Sequence, residues 1–163
     1  MNPIRFLFAS FASFCSRIRS PRLVHFANIA EGSTERGSKS YLPDVAIANR
    51  FAIVILGSTA NNITLSAANT DLPLGICTDA PEAGNLEVPV NVEVFGAARG
   101  TRKVLLSGTV AAGDFLQSNG DGGAIKLLTT TGTFYNLGRA LQAGAAGDVI
   151  EFAPTFPLKV VNP

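Results

Sequence analysis

The chain has 163 residues, of which 47% are apolar and 15% charged. This length fits one domain with or without an arm, and the apolar fraction is sufficient for a core. Since average proteins contain about 25% charged residues, the low charge indicates either a surface covered by a partner or a compact β-domain with few surface charges. The absence of a dense Lys/Arg run and of tryptophan argues against direct nucleic-acid binding.

The net charge of +1 hides an asymmetry: residues 1–50 carry +4 and residues 51–163 carry −3. A basic N-terminal part joined to a mildly acidic remainder predicts an arm that contacts an acidic surface.

Residues 3–18 show the apolar spacing of an amphipathic helix. The apolar positions are Ile4, Leu7, Phe8, Phe11, Phe14, Cys15 and Ile18. Asn2 can cap such a helix and Pro3 fits its first turn. An extended arm that orders against a neighbour is the alternative. The apolar side chains need a cover, for which the protein's own body, a partner and, third, a membrane surface all remain open.

The same segment resembles a signal peptide, but arginines bracket it on both sides and no A-x-A cleavage site follows. We expect it to be retained, and it is too short to span a bilayer. The candidate partner-binding residues are Phe8, Phe11, Phe14, Arg17, Arg19 and Arg22.

Residues 31–44 are polar and rich in Gly and Ser, which predicts a linker or loop. The expected organisation is therefore an arm and linker over 1–44 and a β-rich body over 45–163.

Short apolar runs separated by turn signals follow from residue 45, without a convincing helix. Predicted strands lie within 50–58, 72–79, 86–94, 101–107, 114–118, 124–128, 134–143, 148–154 and 157–161. This pattern predicts a mainly β fold, a small β-barrel or sandwich. In "LEVPVNVEV", valines alternate with polar residues, and Pro89 indicates an edge strand or a bulge, since proline cannot donate to a ladder. Such an edge could accept a strand from a partner.

The stretch "AAGD" occurs at 111–114 and again at 145–148, each time followed by two large apolar residues. We expect Gly113 and Gly147 to adopt a backbone conformation that a Cβ disfavours. Asp114 and Asp148 can bond nearby backbone N–H groups and fix the turn. The two copies predict similar corners of one barrel rather than a catalytic motif.

Candidates for chemistry are few. His25 is the only histidine and lies in the arm, so no His-based metal site is expected. Cys15 and Cys77 have neither disulfide-framework nor metal-ligand spacing, and we expect free thiols. "SNGDGG" at 118–123 predicts a hairpin turn, because a calcium loop needs further oxygen ligands and a late Glu. We expect no catalytic residue, metal or cofactor.

Residues 71–154 resemble small β-rich capsid decoration (cement) proteins of tailed bacteriophages. The features are "LGI" followed by Asp79, the alternating Val strand, "SGTVAAGDFL", a "DG" turn, and "GRALQAGAAGDVIE" before a closing proline. The resemblance implies a non-enzymatic virion protein that binds the major capsid protein on the outer capsid surface, often as a homotrimer, after synthesis in the host cytoplasm. It implies neither direct nucleic-acid contact nor membrane contact.

Three alternatives remain. The chain could be a receptor- or glycan-binding head fibre or tail component, although the lack of tryptophan disfavours sugar stacking. It could be a minor capsid subunit. An enzyme is the remaining possibility.

Overall fold

The computed structural model describes residues 37–80, 85–97 and 99–163, which form strands and turns without a helix. The mainly β prediction is confirmed. The strands are β1 (Ser38–Pro43), β2 (Ile53–Leu56), β3 (Asn62–Leu65), β4 (Gly75–Cys77), β5 (Val90–Val94), β6 (Arg102–Leu105), β7 (Phe115–Ser118), β8 (Ala124–Lys126), β9 (Gly132–Ala140) and β10 (Val149–Asn162).

The first five strands close into a barrel in the order β1-β3-β2-β4-β5. Closure depends on β1, which runs antiparallel to β5 and parallel to β3. Small and branched side chains fill the interior, and those of Ile47, Val54, Ile63 and Val92 are fully buried. Burial of such side chains contributes most of the stabilisation in a barrel of this size.

The prediction of a linker over 31–44 is wrong for Ser38–Pro43, which form β1. The sequence of β1 is polar because only Tyr41 and Pro43 point into the core. Its strand conformation comes from its pairing partners rather than from its own composition.

The prediction of an edge strand over 86–94 is also wrong. The strand begins at Val90, after Pro89, so the proline does not interrupt the ladder. β5 has β1 on one side and β4 on the other, and it offers no free edge to a partner. Leu86 and Val88, which the alternation placed on the core face, are exposed.

The other five strands form a sheet in the order β6-β10-β9-β7-β8. Its longest strand, β10, joins the two segments predicted separately at 148–154 and 157–161. Its pairing with β9 shifts register between Pro154 and Leu158, where extra residues of β10 bulge out of the ladder. The pairing of β10 with β6 ends at Phe152.

A cluster of buried side chains joins the barrel to the second sheet. Ile53, Ile76 and Phe95 from the barrel pack with the inward-facing residues of the sheet. At its centre, the rings of Phe95 and Phe152 meet edge to face with centroids 6.3 Å apart. The barrel and the sheet therefore share one core.

Candidate interaction surface

An apolar groove of about 400 Å³ lies where the barrel meets β10. Its walls carry the three large apolar side chains Leu56, Leu72 and Phe156, which are 62%, 58% and 68% exposed. Ten residues line it, and apart from Asp71 all are apolar. Exposed apolar side chains gathered around one concavity are typical of an interaction site.

Phe156 reaches the groove because of the bulge in β10 and the absence of a side chain at Gly96. A Cβ at Gly96 would lie 2.9 Å from Cδ2 of the Phe156 ring, and Gly96 has a φ of +75°. Both the space and the backbone conformation at this position favour glycine. The groove wall thus depends on one glycine and one bulge.

The floor of the groove is anchored in the shared core and adjoins the start of the described chain. Phe95 lines the groove and packs on Phe152 in the shared core. Its neighbour Val94 also lines the groove, and the Val94 N–H donates a 2.8 Å hydrogen bond to the carbonyl of Gly37. Gly37, the first described residue, therefore lies beside the groove.

A C-terminal ribbon, formed by residues 132–136 of β9 and 158–162 of β10, carries an exposed apolar side chain on each of its two faces, because positions three apart in a strand point to opposite sides. Leu158 and Val161 are 56% and 63% exposed. Beyond Phe152, the described ladders of β10 pair it with β9 alone, so the other side of this part of β10 is an edge. Pro157 and Lys159 lie along it, and proline and lysine both discourage edge-to-edge pairing. Side-chain packing is the contact that this ribbon favours.

A polar cleft lies at the seam between the barrel and β6. Phe51 occupies the left-handed region with a φ of 64°, which costs a non-glycine residue about 1–2 kcal/mol. The guanidinium of Arg50 and the ammonium of Lys103 lie 5.2 and 5.9 Å from its ring centroid. Arg102 is paired with Glu93 at 3.0 Å. Cations in this cleft thus already contact a ring or a carboxylate.

The two predicted Gly-Asp turns have the same geometry. Gly113 and Gly147 have φ values of +94° and +90°. Oδ2 of Asp114 accepts a hydrogen bond from the N–H three residues earlier at 3.0 Å, and Oδ2 of Asp148 does the same at 2.8 Å. The hydrogen bond from Lys126 lowers the pKa of Asp114 below its ordinary value, with help from the Ala111 N–H. These four residues are engaged in the turns themselves.

The two turns lie side by side. Val110 and Gly144, which precede them, exchange two backbone hydrogen bonds of 2.9 and 3.0 Å. The glycine N–H of the first turn binds the carbonyl of Ala140, and that of the second binds the carbonyl of Leu106, both at 2.8 Å. Corresponding residues are 34 positions apart, and β10 pairs with β6 as β7 pairs with β9. The repeated sequence thus marks an internal two-fold arrangement.

Other candidate chemical groups have structural partners. Burial raises the pKa of the Cys77 thiol to about 11, and its S–H donates to the carbonyl of Asp79. Asp71 accepts two backbone N–H bonds of 2.9 Å within its own turn. Asp121 accepts hydrogen bonds from Ser107 and the Gly123 N–H in the hairpin predicted at 118–123. Within the described residues, no group of three or more His, Cys, Asp or Glu side chains could hold a metal.

The predicted arm contacts, His25 and Cys15 all precede Gly37 and lie outside the described residues. The groove was not predicted from the sequence. A signal for its wall exists in "PTFP" at 154–157, since a phenylalanine between two prolines in a strand indicates a bulge that turns the ring outward.

No protein-family model and no curated protein matches this sequence. Among solved structures, the N base of head fibre gp8.5 in bacteriophage phi29 has a similar fold, with a TM-score of 0.53 and 20% sequence identity. The match covers 74% of this chain and 94% of that one. At this identity, the likeness establishes a shared fold.

Proposed function

We propose that this chain is a structural protein of a phage virion that binds the major capsid protein on the outer capsid surface, as a decoration subunit without catalytic activity. The observation that carries the proposal is the fold shared with the N base of a phage head fibre. A resemblance of residues 71–154 to decoration proteins, drawn from the sequence alone, points to the same class of particle.

The described surface supports a binding role. Among the described residues, exposed apolar side chains such as Leu158 and Val161 on the C-terminal ribbon are open to solvent. Covering them against neighbours would stabilise an assembly by about 25 cal/mol for each Å² of apolar area removed from water. Contacts of this kind, repeated in a homotrimer, would strengthen attachment to a lattice through effective concentration.

Several described groups that an enzyme could use are engaged in structural contacts. Cys77 is buried and remains protonated at neutral pH, because its pKa is raised to about 11. Asp114 and Asp148 hold their turns, and Asp121 holds its hairpin. These hydrogen bonds favour a structural role for the two repeated Gly-Asp turns and for the hairpin at 118–123.

A second candidate is the base of a head fibre, because the similar structure is itself such a base. The two roles differ in the number of subunits per particle. A decoration subunit occupies the lattice throughout, whereas a fibre base occupies fewer positions.

The test is quantitative mass spectrometry of purified particles of the phage that encodes the chain. A ratio to the major capsid protein near one to one supports the decoration role. A small number of copies supports the fibre base instead, and absence from the particle overturns both roles.

The oligomer is tested separately by light scattering on the full chain after size exclusion. We expect a trimer, and we expect the double variant Leu158→Glu/Val161→Glu to dissociate it. The matched control is Val149→Glu, which changes an exposed side chain at the other end of β10. A monomeric wild-type chain would contradict the trimer.

A further inference from the structure

We infer that the apolar groove is the seat of residues 3–18 of the same chain, with phenylalanine side chains of that segment covering Leu56, Leu72 and Phe156. The inference concerns the contact between the arm and the body and does not depend on the proposed function. It joins two separate observations: a groove that no described residue covers, and an apolar segment that needs a surface to cover it.

The first argument is position. Gly37, the first described residue, is bonded to Val94, which lines the groove. The eighteen residues 19–36 separate Gly37 from the apolar segment, and a random coil of that length spans roughly 24 Å. The segment is therefore tethered within reach of the groove. At an effective concentration of about 1 mM, it would outcompete segments of other copies in dilute solution.

The second argument is size and chemistry. A cavity of about 150 Å³ can hold a benzene ring, so the groove volume of about 400 Å³ suits two phenyl rings. Phe8 and Phe11 lie three positions apart, as do Phe11 and Phe14, and no charged residue occurs between Arg5 and Arg17. The segment thus presents closely spaced rings to a groove lined almost entirely by apolar residues.

Seating the phenylalanines on the body leaves Arg17, Arg19 and Arg22 at the end of the segment for contact with an acidic surface. This outward contact of the arginines rests on the proposed function, because the acidic surface would belong to the capsid. The arm would then have an apolar part that binds its own body and a basic part that binds outward.

Disulfide trapping tests the seating, because Cys15 is native to the segment and directly follows Phe14. In the full chain, Leu72→Cys places a thiol on the groove wall, and Val149→Cys places one at a comparably exposed site on the far end of β10. We expect the Leu72→Cys variant to form an intrachain disulfide about tenfold faster, since the seated segment raises the local thiol concentration. Cys77 is fully buried and does not compete.

The products are separated by non-reducing electrophoresis and mapped by mass spectrometry, with Cys15→Ser as the blank. Equal rates for the two variants would overturn the inference. Disulfide-linked dimers as the main product would also overturn it, because they would show that the groove takes the segment of another copy.

A second measurement uses the absence of tryptophan from the chain. Phe11→Trp introduces a single reporter, whose emission we expect to be blue-shifted as in an apolar site. Adding Leu72→Glu should shift the emission to the red, whereas adding Val149→Glu should leave it unchanged. Emission typical of a solvated indole in Phe11→Trp alone would refute the seating, with far-UV circular dichroism verifying the fold of each variant.

Discussion

Replacing Gly147 by alanine isolates the conformational demand of the repeated turn. Gly147 has a φ of +90°, and a Cβ built on it would meet no atom within 4 Å. The cost is therefore backbone strain, about 1–2 kcal/mol for a non-glycine residue. The lower chain entropy of alanine in the unfolded state offsets about 0.4–1 kcal/mol of it. We expect a net loss of about 1 kcal/mol in the free energy of unfolding.

Gly138→Ala is the matched comparison, because there the new Cβ would overlap the carbonyl oxygen of Ala153 and lie 2.8 Å from Cα of Pro154. Both neighbours are backbone atoms of β10 and can move only if the two strands separate. We expect a loss of about 3 kcal/mol or more, at or above the upper end for overpacking.

Urea unfolding followed by far-UV circular dichroism measures both variants. With a slope of about 2 kcal/mol/M, Gly147→Ala should lower the midpoint by about 0.5 M. An unchanged midpoint for Gly147→Ala would refute the strain argument. A smaller loss for Gly138→Ala than for Gly147→Ala would refute the contact argument.

Three further predictions concern the core and the titrating groups. Phe152→Ala should lower the free energy of unfolding by about 3–5 kcal/mol in urea titrations, because it removes the buried ring that packs on Phe95; a loss below about 1 kcal/mol would contradict the shared core. Burial tends to raise the pKa of Asp121, but the hydrogen bond from Ser107 helps hold that pKa below its ordinary value. The stabilisation that ionised Asp121 contributes is therefore present at neutral pH and is lost as the pH falls through the lowered pKa. Asp121→Asn should therefore be less stable than wild type at pH 7 and converge with it as the pH falls below the lowered pKa of Asp121, and a gap independent of pH would exclude this linkage. In a Cys15→Ser background, Cys77 should react with iodoacetamide at pH 8 roughly ninetyfold more slowly than an ordinary thiol, since the rise of its pKa from 9.0 to about 11 lowers its thiolate fraction by that factor; rapid alkylation of the folded protein would show that the thiol is accessible.

The sequence was sufficient for the fold class and for the strands that carry their own apolar pattern. Ile53–Leu56 and Phe115–Ser118 lie inside predicted runs, since β-branched and aromatic residues there fit a half-buried strand. β1 was missed because its strand conformation depends on partners 20 positions away in β3 and 49–55 positions away in β5, which no local pattern encodes.

The candidate site was harder to predict than the fold. Leu72 and Phe156 are far apart in sequence and meet only because the barrel packs against the bulge of β10. Leu56 lies in a run that predicts a buried strand, yet its side chain is 62% exposed at the strand end. A groove formed between two sheets depends on tertiary packing, and single-sequence patterns report only which residues are apolar.

The fourteen-residue length of β10 has a mechanical consequence. Antiparallel hydrogen bonds lie perpendicular to the strand, so tension applied along β10 from its C-terminal end loads its ladder bonds in shear. The bonds then share the load and must yield together, whereas peeling would break them one by one. Since β10 also carries Phe152 in the shared core, a pull on this end is passed through packed side chains into the barrel. A load applied at the C-terminal end would therefore be resisted along the whole of this one strand.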